Sequence, residues 1–144
     1  MKKILVLVLT LFFFSPLPGH AKSVGMVKTH FGPVTLIRGD QHFDVAPGTP
    51  IHQRDTIETQ AQGRAGVIFT DGTVITVGPD TRFRIDTYLF DTQAQNYDFS
   101  FYMEQGQAVY ASGKISKISP ESVKIHTPKA TVGIRGTRFI IDVD

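Results

Sequence analysis

From Val34 onward the chain is written in short stretches that alternate apolar bulk with polar or charged residues, and turn-forming residues separate them. Val34-Thr35-Leu36-Ile37-Arg38 runs into Gly39-Asp40, and Asp55-Thr56-Ile57-Glu58-Thr59 ends near Gly63. Ala65-Gly66-Val67-Ile68-Phe69 reaches Asp71-Gly72, and Thr73-Val74-Ile75-Thr76-Val77 follows. The same scheme returns in Arg82-Phe83-Arg84-Ile85-Asp86, Tyr97-Asp98-Phe99-Ser100-Phe101, Val109-Tyr110-Ala111, Ser122-Val123-Lys124-Ile125 and Arg138-Phe139-Ile140-Ile141-Asp142-Val143. A period of two places successive side chains on opposite faces of a strand, and β-branched and aromatic residues suit a half-covered pleated surface. No stretch keeps helical spacing for three turns. Residues 93–96 read as a polar loop, and the Ser/Lys/Gly-rich residues 112–119 as either strand or loop. Asp71-Gly72 between two apolar strands predicts a type I′ hairpin turn with both residues at positive φ. Many short strands at this spacing predict a single all-β domain, either a two-layer antiparallel sandwich or a short β-solenoid-like roll. No strict repeat of 20–50 residues supports a long solenoid.

The front of the chain follows other rules. Met1-Lys2-Lys3 is basic, and an eleven-residue stretch beginning at Ile4 carries no charge. Pro16, Pro18 and Gly19 then interrupt it, and Gly19-His20-Ala21 sets small residues at −3 and −1. This is the pattern of a secretory signal peptide, and the apolar run is well short of the ~20 residues that span a bilayer. Cleavage is expected between Ala21 and Lys22, leaving residues 22–144 as one domain in the periplasm or outside the cell. Without Lys2 and Lys3, the 15 Lys and Arg become 13, equal to the 13 Asp and Glu. A balanced chain lacks the global basic field that holds nucleic acid. No second apolar run reaches membrane length, which argues against an integral membrane protein. The absence of cysteine removes disulfides, thiolate chemistry and Cys-based metal sites.

Three blocks resemble the FecR-type domain, named for the iron-dicitrate sensor regulator of Gram-negative envelopes. The first holds Gly25-Met26-Val27, Gly32-Pro33-Val34, Pro47-Gly48 and Asp55-Thr56-Ile57-Glu58-Thr59. The second holds Gly63-Arg64-Ala65, Phe69-Thr70-Asp71-Gly72-Thr73 and Gly78-Pro79-Asp80-Thr81. The third runs from Gly106-Gln107-Ala108-Val109-Tyr110-Ala111-Ser112-Gly113-Lys114 to the most specific segment, Thr127-Pro128-Lys129-Ala130-Thr131-Val132-Gly133-Ile134-Arg135-Gly136-Thr137. The likeness spans almost all of residues 24–143. It implies an exported, non-enzymatic interaction module of the bacterial cell envelope, with a link to envelope signalling. The full sensor regulator of that family adds a cytoplasmic anti-sigma segment, a membrane span and a receptor-contacting domain; here an export signal and one domain are expected. Gly133 and Gly136 flank Ile134-Arg135 and are expected to permit a tight backbone reversal or close strand approach.

Nothing in the sequence assembles a catalytic constellation. There is no Gly-x-Ser-x-Gly elbow, and His30, His42, His52 and His126 lack the spacing of metal ligands. No cofactor is expected. Arg38-Gly39-Asp40 spells a cell-adhesion tripeptide but reads as an ordinary turn after a strand. Charge is uneven along the chain. Residues 105–138 carry six cations (Lys114, Lys117, Lys124, Lys129, Arg135, Arg138) against Glu121 alone. Lys114, Lys117, Lys124 and Arg135 are the candidate contacts for an anionic surface polymer or an acidic protein of the envelope. Phe139 and Ile141 are the candidate anchors of an edge strand that pairs with an envelope protein or, alternatively, with further copies of this chain in a self-assembling structural protein. An enzyme acting on envelope glycans is the weakest reading.

Overall fold

The structure is a computed structural model describing Gly19 and residues 21–144. The expected signal peptide lies outside the described residues apart from Gly19 and Ala21. Twelve strands run in chain order: β1 (Gly25–Phe31), β2 (Val34–Arg38), β3 (Gln41–Asp44), β4 (Pro50–Ile51), β5 (Thr56–Thr59), β6 (Arg64–Phe69), β7 (Val74–Val77), β8 (Arg82–Asp91), β9 (Asn96–Ala111), β10 (Val123–His126), β11 (Thr131–Gly133) and β12 (Arg138–Val143). One short helix, α1 (Lys114–Ile118), and a 3₁₀ turn at Pro120–Ser122 separate β9 from β10. All twelve strands belong to one curled sheet whose central path is β3-β2-β5-β8-β9-β7-β6-β1-β4. The all-β single domain is therefore present, as a half-barrel in which the sheet packs against itself.

The curl comes from a crease. Four consecutive ribbons cross it, and each bends at the same level: β1 to β2 at residues 32–33, β5 to β6 at 60–63, β7 to β8 at 78–81, and β9 within itself near Gly106. Neighbouring bends are bonded to one another. Gln60 N–H donates to the Pro33 carbonyl at 3.2 Å, and Thr59 N–H donates to the Thr81 carbonyl at 2.9 Å. The Thr59 hydroxyl donates to the Gly78 carbonyl at 2.6 Å and accepts from Thr81 N–H at 2.9 Å. Thr81 Oγ1 then accepts from Gln107 N–H at 3.0 Å. Gly106 has φ +97°, and a Cβ there would lie 2.2 Å from Thr81 Oγ1 and 2.5 Å from Thr81 Cα. Much of the family-like sequence (Gly32-Pro33, Gly63, Gly78-Pro79-Asp80-Thr81, Gly106-Gln107) is thus the chemistry of the crease.

Alternation along the ribbons fills the space between the two halves. Val27, Leu36, Ile57, Val67, Ile75, Phe83, Ile85, Phe99, Phe101, Met103 and Tyr110 are all buried. A row of aromatic rings threads this core: Tyr88 to Phe69 at 5.4 Å, Phe69 to Phe99 at 4.7 Å, Phe99 to Phe101 at 5.5 Å, Phe101 to Tyr110 at 6.2 Å and Tyr110 to Phe139 at 5.7 Å. These separations are those at which aromatic pairs attract beyond simple burial.

Several local expectations change. Residues 112–119 hold α1 instead of a strand or loop. The β6–β7 connection is Thr70-Asp71-Gly72-Thr73, closed by Phe69 N–H to the Thr73 carbonyl at 2.8 Å. Gly72 has φ +87° while Asp71 stays at negative φ, so the turn is not type I′. The side chain of Asp71, bonded inward, has set the geometry instead. Gly133 lies in β11 with open space where a Cβ would stand, so it makes no reversal; Gly136, at φ +131°, supplies the turn into β12. Tyr97-Asp98-Phe99-Ser100-Phe101 and Val109-Tyr110-Ala111 belong to one 16-residue strand, because Gly106 bends β9 without ending it.

Gly106→Val combines a strained φ with a backbone collision and is expected to cost about 3 kcal/mol or to prevent folding. Thr81→Ala, which removes only the hydroxyl, should cost about 1–2 kcal/mol. Urea melts of both variants check this, and wild-type midpoints for both would remove the crease from the account of stability.

Candidate functional site

At one end of the core sits a buried carboxylate. Asp71 is 1% exposed. Its Oδ1 accepts from Thr73 N–H at 3.1 Å and lies 3.1 Å from the Tyr88 hydroxyl. Its Oδ2 accepts from the Thr73 hydroxyl at 2.8 Å and from Ile115 N–H, in the first turn of α1, at 3.1 Å. Its own N–H donates to the Tyr88 hydroxyl at 2.9 Å. Asp71 therefore caps a helix 44 positions away. Such a cap satisfies orphan N–H groups and suits the positive end of the helix. Gly113 makes the approach feasible, since a Cβ there would meet Thr73 N at 2.3 Å. Burial pushes the phenols of Tyr88 and Tyr110 above the ordinary tyrosine range, so both stay protonated and able to donate. Every Asp71 oxygen is occupied, so this cluster is structural.

A second buried carboxylate, Asp55, is 0% exposed and immediately precedes β5. Arg38 grips it through Nε at 2.8 Å and a terminal nitrogen at 2.7 Å, and His52 N–H donates to it at 2.7 Å. The bond to Asp55 raises the Arg38 pKa. The Arg38-Gly39-Asp40 tripeptide thus has its guanidinium turned onto the fold. His42 stands exposed on β3, and His52 stands beside Asp55. Among the described residues no group of three His, Cys, Asp or Glu has metal-holding geometry.

An open groove lies beside Phe139, the last ring of the aromatic row. β9 is bordered along one edge by β8 and β7. Along its other edge β10 runs parallel to residues 99–102, and β12 runs antiparallel to residues 106–111. Because β9 bends, β10 with its neighbour β11 diverges from β12. A groove of about 570 Å³ opens between them. Ile125, Val132 and Ile134 line one side, and Phe139, Ile141 and Val143 the other. Val132 faces the same side of the sheet as Ile125 yet remains 50% exposed. Phe139 and Ile141, the candidate edge-strand anchors, are half-buried and line the groove; Ile140, 77% exposed, is the residue that points away. β12 is paired only to β9 among the described residues.

The candidate cations do not converge on this groove. Lys114 and Lys117 are exposed on α1, Lys124 is exposed on the outer face of β10, and Arg135 is exposed in the β11–β12 turn. Only Arg135 borders the groove, along with Lys129, Asp142 and Asp144. Arg135 also lies close enough to Glu121 to help hold that carboxyl below its usual range, after the larger effect of the Ser119 hydroxyl.

Fold and site together define an all-β module whose two buried carboxylates, Asp55 and Asp71, are spent on structure and which presents, among the described residues, an edge strand beside an apolar groove. A family profile described as FecR protein matches residues 55–144, and the chain belongs to that family, one of envelope-associated signalling proteins. No match was found among curated proteins or among solved structures. No helix among the described residues is long and apolar enough to cross a membrane.

Asp71→Asn replaces two acceptor oxygens by one and puts an amide N–H₂ against donors. It is expected to cost about 2–4 kcal/mol and to release α1 first. Amide hydrogen exchange checks this: the N–H of Ile115 should lose protection ahead of the core amides of β9. Equal loss at both would mean that α1 does not depend on this carboxylate.

Proposed function

We propose that the chain is exported, loses residues 1–21 by cleavage between Ala21 and Lys22, and works in the periplasm or outside the cell as a non-enzymatic interaction module linked to envelope signalling. Its partner is an envelope protein that adds an extended segment to β12 and lays apolar side chains into the groove beside it. Membership of the FecR family supports the envelope setting. The observation that carries the contact is the pairing of an open strand edge with an apolar trough on the same element. Edge backbone groups supply affinity in such docking, and pockets for alternate side chains supply selectivity.

Lys114, Lys117, Lys124 and Arg135 are spread over three elements, as suits long-range steering of an acidic partner better than a single anion site. An anionic surface polymer is the reading they would support if they acted alone.

Two measurements test the proposal. Sequencing the N-terminus of protein recovered from the envelope should begin at Lys22; an intact Met1 end would remove the export step. Chemical cross-linking in envelope extract should then capture one protein partner whose yield survives high salt and drops about tenfold with Ile140→Pro, which blocks the free edge. Binding that ignores Ile140→Pro, collapses in salt and follows charge reversal of the four cations would replace the protein partner with an anionic polymer.

A further inference from the structure

The free edge of β12 carries its own complement. Ser112 N–H donates to the Thr137 carbonyl at 2.9 Å, and the register runs on from Arg138 opposite Ala111 to Val143 opposite Gly106. In an antiparallel ladder the backbone groups of alternate residues point to opposite edges. Odd-numbered residues of β12 therefore turn their N–H and C=O toward β9. Arg138, Ile140 and Asp142 turn theirs toward the open side. Their side chains share the outward, exposed face, while Phe139, Ile141 and Val143 share the groove face.

A second β12 brought alongside in antiparallel fashion and centred on Ile140 satisfies every one of these features at once. Arg138 falls opposite Asp142 of the other copy, Ile140 opposite Ile140, and Asp142 opposite Arg138. All three are hydrogen-bonded pairs, because the even-numbered backbone groups are those facing outward. On the groove face Phe139 falls opposite Ile141, twice. Opposite charges across strands favour a register, and like charges oppose it. Shifting the partner by two residues in either direction sets Ile140 against a charged residue. Asp142 keeps an oxygen for the arginine, since the hydrogen bond that it accepts from Gln107 Nε2 at 2.8 Å uses Oδ2.

We infer that the occupant of the β12 edge is a second copy of this chain, paired two-fold about Ile140 to make an isologous dimer whose sheet continues from one protomer into the next. This rests on reading β12 as the contact edge under the proposed function, and it names the partner. A two-fold contact closes on itself, so it gives a dimer and not a filament.

The test is sedimentation of the protein purified from cells expressing the full chain, over a wide range of concentration, with circular dichroism as a control for folding. Wild type should dimerise. Arg138→Asp and Asp142→Arg each set like charges face to face at two places and should weaken the dimer by about tenfold or more. The double variant, which exchanges the two charges, should return to within about threefold of wild type. Should a charge variant fail to fold, cysteine cross-linking reads the register directly, because the chain has no native cysteine. Ile140→Cys should form a disulfide dimer on oxidation, since a hydrogen-bonded pair places Cα atoms about 5.5 Å apart. Arg138→Cys should cross-link poorly to itself and readily to Asp142→Cys. A wild type that stays monomeric at every concentration, a double variant as weak as the singles, or equal cross-linking at 138, 140 and 142 would each overturn the dimer. A monomer that still captures a different envelope protein through β12 would overturn only the dimer and leave the proposed function standing.

Discussion

The fold depends on bending four ribbons at one level without losing their backbone partners. A strand that turns sharply leaves N–H and C=O groups exposed on both edges, and buried orphans of that kind are costly. Here each bend supplies the partners of the next. Thr59 and Thr81 do this with hydroxyls that donate and accept across adjacent bends, and Gly32, Gly63 and Gly106 let the backbones approach where a Cβ would collide. Once the crease is set, the alternating residues of both halves must face each other, and the core is determined by that geometry.

The same bend explains the opening. β9 is one continuous strand with partners on both edges, but β10 follows its first half and β12 its second. Strands that flank opposite sides of a bend splay apart. The core is closed where the ribbons are joined and open where β11 and β12 end the sheet. The groove is therefore a product of the crease, and the aromatic row ends in it at Phe139.

Much of this was legible in the sequence, and what was hidden was non-local. Period two and turn residues place β2 and β12 to the residue, since Val34-Thr35-Leu36-Ile37-Arg38 lies between Gly32 and Gly39 and the run from Arg138 to Val143 follows Gly136. β3 and β4 carry no alternation strong enough to see, β3 being a short edge strand with every residue exposed and β4 only two residues long. The helix α1 was invisible because its cap is Asp71, far off in the chain. The turn at Asp71-Gly72 departs from type I′ because the carboxylate takes the N–H and hydroxyl of Thr73 locally and is held from Tyr88 and Ile115 as well, and that second pair of donors leaves no local pattern. Asp55 opens an alternating run with nothing in the sequence to mark it as buried, and only the fold shows that Arg38 meets it. The four cations could be found by counting charge, but their dispersal over α1, β10 and the β11–β12 turn could not.

A sixteen-residue strand held on both sides has a mechanical meaning as well. A load pulling along β9 would act in shear on the ladders with β8, β7, β10 and β12 together, so the centre of the sheet resists as one block. The peripheral strands β3 and β4, each held along a single edge, would peel away one bond at a time under far less tension. A tether fastened at β12 would thus pass its force straight into the stiffest element of the molecule, and the soft margin would stay slack.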